Sequence, residues 1–171
     1  TLAKMGNGGL FDQLAGGYYR YSTDDTWTIP HFEKMLYDQA LLIRAYRQGW
    51  SLFRREDWRL VVEETVAYVL GTLADPSGGI HSAEDADSLA PDGSSVEGWF
   101  YTWTPDEVRE VLGDDAEPLL AWFGIDDAGN FEGRSIPNRL HARGSLPRPP
   151  EIEEGRRRLL EARSRRPRPG R

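Results

Sequence analysis

The chain has 171 residues, 39% hydrophobic and 29% charged, with no cysteine and a net charge of −7. That is a globular composition with room for one core, and it excludes disulfides, thiolate zinc and a cysteine nucleophile within this segment. Residues 142–171 hold ten Arg and four Glu, so the first 141 carry 11 basic against 24 acidic side chains, an acidic body that repels phosphate backbones and argues against nucleic acid.

No run approaches the roughly 20 apolar residues of a membrane span, and no signal peptide opens the chain, so no membrane partner is expected and the location is read as cytoplasmic. Glycines at positions 6, 8, 9, 16 and 17 make residues 1–5 the end of a helix that began upstream. The chain thus reads as a piece of a longer protein. Residues 18–23 are aromatic and β-prone, and residues 27–29 are set opposite them as a small hairpin across Asp24 and Asp25. Pro30 then sits where a first helical residue belongs, with Thr28 as a nearby cap. A long helix is predicted over 32–53. Its apolar positions circle most of the axis, which predicts burial on more than one side. Residues 56–73 carry a single apolar stripe instead, as a surface helix does. A buried helix followed by an amphipathic one is the repeating unit of a double-layered α/α barrel, so the fold class is mainly α.

Residues 75–79 make a turn. Residues 80–82 and 99–103 read as strands, separated by a long acidic loop. Thr104-Pro105-Asp106-Glu107 is a capping box with Pro at the first helical position, opening a helix over 105–112 that Gly113 stops. A second short helix covers 117–123, and 124–133 is loop with a tight turn at 130–133. The chain divides into a barrel part over 1–141, a Pro/Arg linker over 142–150, a charged helix over 151–164 and a disordered tail over 165–171.

Reactive groups concentrate in three places. On a helix, His31, Lys34 and Asp38 would share one face, and Glu33 and Tyr37 would pair at i, i+4. Titratable groups at the start of a buried helix are partly desolvated, where acid–base work becomes possible. The alternative is that His31 and Glu33 merely satisfy loop and helix-end backbone groups. The second set is Glu84, Asp85 and Asp87, whose mutual repulsion calls for a cation, an Arg or sugar hydroxyls, unless they form a solvated acidic turn. Counting from Asp85, the fifth, sixth and twelfth positions are Leu89, Ala90 and Val96, so this is no EF-hand, and no metal is assigned. The third set is Asp12, Arg20 and Asp24. Gly16-Gly17 is no dinucleotide fingerprint, and no cofactor is expected. Trp27, Trp99, Tyr101 and Trp103 accompany the acids, and aromatic faces beside carboxylates commonly hold sugar rings, although they also pack hairpins.

Gly8-Gly9-Leu10-Phe11-Asp12-Gln13, Arg20-Tyr21-Ser22, Pro30-His31-Phe32-Glu33-Lys34-Met35-Leu36-Tyr37-Asp38, Ser82-Ala83-Glu84-Asp85-Ala86-Asp87-Ser88 and Phe100-Tyr101-Thr102-Trp103-Thr104 resemble the thioredoxin-domain-containing family of spermatogenesis-associated, six-hairpin-glycosidase-like proteins. Tyr19 departs from it, standing where the family often has His. The resemblance implies part of an (α/α)6 barrel, or toroid, akin to N-acylglucosamine 2-epimerases, with short β-hairpins in its loops. It also implies an adjoining thioredoxin-like domain as a partner within the full-length protein.

The function expected is epimerase- or isomerase-like acid–base chemistry on a small sugar or sugar derivative. His31, Glu33, Asp38, Glu84 and Asp85 are the candidate catalytic groups. Asp12, Arg20, Trp27, Tyr37, Asp87, Trp99 and Trp103 are the candidate substrate contacts. Two rivals remain: a glycoside hydrolase using two carboxylates, and a non-catalytic docking platform for the thioredoxin-like domain.

Overall fold

The computed structural model describes residues 1–141 and 147–171. The predicted linker over 142–150 therefore lies partly outside the described residues. A short helix α1 (Leu2–Asn7) leads into glycine-rich chain, and β1 (Tyr21–Ser22) pairs antiparallel with β2 (Pro30–His31). Then β3 (Lys34–Met35) runs directly into α2 (Leu36–Phe53), which links through Arg54 and Arg55 to α3 (Glu56–Tyr68). A connection that short makes the two a helical hairpin. The last turn of α3 continues as a π-turn over Val69–Leu73.

Three more strands follow: β4 (Ala83–Glu84), β5 (Asp87–Leu89) and β6 (Ser95–Glu97). β4 pairs with β3 and β5 with β6, all antiparallel. The helices α4 (Pro105–Leu112), α5 (Ala116–Phe123) and α6 (Pro150–Arg163) complete the order. The class is thus mainly helical with short antiparallel strand pairs. The described residues close no barrel. Among them, no helix is long and apolar enough to cross a membrane.

Two apolar clusters organise the packing. One joins Phe11, Tyr18, Tyr19, Phe32, Tyr46 and Tyr101 between the entry loops and the hairpin. The other joins Leu14, Trp103, Val108, Leu119, Phe123 and Leu159 under the last three helices. The predicted capping box is present: Thr104 Oγ1 accepts the Glu107 N–H, and Glu107 Oε2 accepts the Thr104 N–H at 2.9 Å.

Several expectations change. The hairpin partner of β1 is Pro30–His31 rather than 27–29, because the Asp24 carboxylate accepts the backbone N–H of Thr28 and Ile29 at 2.9 Å each and widens the turn. Of residues 99–103, expected as a strand, 99–101 form turns and Trp103 makes a single antiparallel bridge with Ser135, while the acidic segment itself is strand. α2 is not buried all round. Its buried positions are Gln39, Tyr46 and Gly49, and Leu41, Leu52 and Phe53 are 63, 77 and 67% exposed.

The tail expected to be disordered is laid against the body. Arg166 lies over the Trp103 ring at 4.0 Å and donates to the carbonyls of Trp99, Phe100 and Thr102. The Gly170 carbonyl accepts the Asp85 N–H at 2.8 Å. The expected charged helix is present as α6, and one of its faces is buried. Ile152, Gly155, Leu159 and Arg163 form its buried face, and Arg148 just before it grips Glu64 of α3 with both guanidinium nitrogens.

Candidate functional site

The segment around His31 is extended, not helical. The reason is long-range. Met35 and Lys34 pair with Ala83 and Glu84, and the Leu36 N–H donates to the Ser82 carbonyl at 2.9 Å. Glu97 accepts the Phe32 N–H at 3.2 Å. A strand has period two, so alternate side chains part company. Phe32 and Lys34 turn inward, 0 and 1% exposed, while His31 and Glu33 stay at the surface. Gly98 permits this packing. Its backbone has φ +74°, and a Cβ there would stand 2.5 Å from the Phe32 ring. The helical faces proposed for His31–Lys34–Asp38 and Glu33–Tyr37 do not form.

The outer face holds His31, Glu33, Arg20 and their neighbours. His31 Nδ1 lies 2.7 Å from Glu97 Oε1, and Nε2 lies 3.8 Å from Glu33 Oε2. Arg20 Nη1 donates to Glu33 Oε2 at 2.7 Å. The imidazole stacks on Tyr21 with centroids 5.1 Å apart. With Glu97 as the acceptor, Nδ1–H donates the hydrogen bond, which leaves the lone pair on Nε2. Asp38, in the first turn of α2, has Oδ2 buried without a partner among the described residues. Burial pushes its carboxyl up, against the nearby Arg20 and with the nearby Glu33. Tyr37 is half exposed on the same turn.

The inner face is a closed charge network. Lys34 Nζ donates to Asp12 Oδ2 at 2.8 Å and to the Gly16 carbonyl at 3.2 Å. Arg163 binds both Asp12 oxygens, at 3.0 and 2.9 Å. Leu14 and Ala15 donate their backbone N–H to the same carboxylate. Burial alone would raise the Asp12 carboxyl. Arg163 and then Lys34 outweigh it and hold the group far below the usual carboxylate range. Burial pushes the Lys34 ammonium down, opposed by Asp12 and Glu84. Its charge also faces the rings of Tyr68, Tyr19 and Tyr101 at 4.3, 4.8 and 5.0 Å. Glu84 sits across the β3–β4 pair from Lys34 and accepts the Tyr68 hydroxyl at 2.8 Å. A cavity of about 140 Å³ opens among Lys34, Tyr68, Glu84, Tyr101 and Arg163.

The structure therefore brings the two predicted segments together, but sorts their acids. Glu84 is buried, while Asp85 and Asp87 face outward. Asp87 stands opposite Glu97 in the β5–β6 register. Trp103 is core, 1% exposed and covered by Arg166, so it offers no ring to a ligand. Trp99 is capped by Arg134 at 4.1 Å. Trp27 packs against the core with a left-handed backbone, φ +70°, and its carbonyl accepts the Gly9 N–H. Sequence reasoning named Lys34 among the reactive groups but gave it no role, and it left Tyr68, Glu97 and Arg163 out, though each holds one of the site's main contacts.

Fold and site together define a mainly helical chain whose strand–helix junction carries a surface His–Glu pair and a buried charge network. The chain is 41% identical over 158 residues to spermatogenesis-associated protein 20 of Mus musculus, covering 85% of this chain and 20% of the relative. It is 42% identical over 148 residues to the Homo sapiens protein of that name, covering 80% and 19%. An uncharacterized protein of Caenorhabditis elegans is 36% identical over 149 residues, covering 81% and 20%. The chain thus spans about a fifth of the length of the curated relatives it matches. No family model matches it.

Proposed function

We propose that this chain is the early part of an (α/α)6 barrel in a longer protein related to spermatogenesis-associated protein 20, and that it carries an acid–base site for a sugar. Support for the barrel comes from the α2–α3 hairpin and the apolar surface that α2 leaves open. Support for the chemistry rests on one observation. His31 Nδ1 is held by Glu97 at 2.7 Å, while the ring stays partly open to solvent beside Glu33 and Arg20.

In this reading Nε2 takes a proton from a sugar carbon. Glu97 positions the ring and stabilises the imidazolium that forms. Asp38, which burial keeps protonated to higher pH than an ordinary carboxyl, returns a proton to the same carbon. Arg20 and Glu33 hold hydroxyls, and the exposed faces of Tyr21 and Tyr37 flank the ring. No cofactor is needed for such an exchange. A second reading, a docking platform for an adjoining thioredoxin-like domain, draws on the apolar stripe of α2.

The test is exchange of solvent deuterium into sugar carbons by the full-length protein. His31→Ala is expected to lower the rate at least ~100-fold with little loss of stability. Exchange that survives His31→Ala, or a wild-type protein that exchanges no sugar tried, would remove the acid–base reading.

A further inference from the structure

The inner cavity asks for an occupant of its own. Its 140 Å³ are room for about five waters, too much for a packing defect. The π-turn at Val69–Leu73 shapes one wall, putting Thr72 on the cavity while Leu73 enters the core. Irregular helical turns of this kind recur at functional sites. Tyr68, Phe100 and Tyr101 make the wall aromatic.

Two features specify the ligand. The first is an unused hydroxyl. Tyr101 is 2% exposed and lines the cavity, yet its Oη is buried with no hydrogen-bond partner among the described residues. Beside it, Glu84 accepts the Tyr68 hydroxyl through Oε2, and among the described residues no hydrogen bond engages its Oε1. A buried donor next to a carboxylate with spare lone pairs matches the hydroxyls of a polyol.

The second feature is charge. Lys34, Arg163 and Arg168 line the cavity against Glu84, with Asp12 directly behind Lys34 and Arg163. One positive charge is left over, in a chain of net charge −7. The excess falls to Arg168. Arg163, Arg165 and Arg166 are ion-paired with Asp12, Glu161 and Glu107, but Arg168 has no ion pair among the described residues. Arg168 is exposed, so a monocarboxylate would pair with it at the solvent edge of the cavity, whereas a dianion would set its second charge against Glu84.

We propose that this cavity binds a small hydroxylated monocarboxylate, a sugar acid in chemical class, with its carboxylate on Arg168 and its hydroxyls on Tyr101 and Glu84. The site lies on the opposite face of the extended segment from His31, and it does not depend on the acid–base reading. Calorimetric titration of the full-length protein with D-gluconate and D-glycerate tests it, with D-glucose, acetate and inorganic phosphate as comparisons. One of the two hydroxy acids is expected to bind at least tenfold tighter than any comparison compound. Arg168→Gln, at an exposed position, should remove that preference. Tyr101→Phe, which keeps the ring, should weaken binding about tenfold, and His31→Ala should leave it unchanged. Absence of binding by both hydroxy acids at millimolar concentration overturns the proposal. So does equal binding by acetate or phosphate, or wild-type affinity in both Arg168→Gln and Tyr101→Phe.

Discussion

Asp12 meets two cations and two backbone N–H groups in a site that solvent scarcely reaches. Removing its charge would strand Lys34 and Arg163 in the interior, and stranding a buried charge is far costlier than never having built the pair. Asp12→Asn is therefore expected to destabilise the full-length protein by about 3–5 kcal/mol in urea denaturation. A loss below about 1 kcal/mol would mean that the network is solvated. The pH response follows from the same geometry. The Asp12 carboxyl titrates lower in the folded than in the unfolded chain. Its contribution is thus complete above the unfolded carboxylate range near pH 4 and is lost as pH falls towards the folded value. Wild-type stability should decline on acidification below about pH 4, and Asp12→Asn should flatten that decline.

At the scale of elements, the docked tail makes the sharpest claim. Arg166 donates to three carbonyls, pairs with Glu107 and covers Trp103, and burial pushes its guanidinium down to about 10. Arg166→Ala should cost about 2–3 kcal/mol and expose residues 165–171 to limited proteolysis. Unchanged cleavage would show that the tail is not held by this side chain. Parts of this were legible in the sequence. The α4 capping box was, because every bond it makes is local. The His31 segment was not. Its polar and apolar residues fit a period of 3.6 as well as a period of two, and the choice is made by Ser82, Glu84 and Glu97, some 50 to 65 residues away. Two signals were present and went unread. Glu84, Ala86 and Ser88 alternate with Asp85 and Asp87, which is strand periodicity and sends one acid inward. Arg163 continues the Ile152–Gly155–Leu159 stripe of α6, a core position held by a charge, which calls for a buried partner such as Asp12.

For the whole molecule, the decisive feature is where apolar surface remains uncovered. Tyr37, Leu41 and Leu52 fall near one stripe of α2 at steps of four and eleven residues, with Phe53 beside it, and all four are half exposed or more. Leu70, past the end of α3, is 64% exposed as well. Single exposed apolar residues are ordinary, but a stripe along one helix is a surface awaiting cover. In the proposed barrel, the next helical hairpins would provide it. The isolated 171-residue chain should therefore self-associate at micromolar concentrations, as read by sedimentation velocity. Leu52→Glu with Phe53→Lys should shift it towards monomer without unfolding, because neither side chain is part of the buried core. A chain that is already monomeric and melts cooperatively would show that this face needs no cover, and would count against the barrel that the α2–α3 hairpin supports.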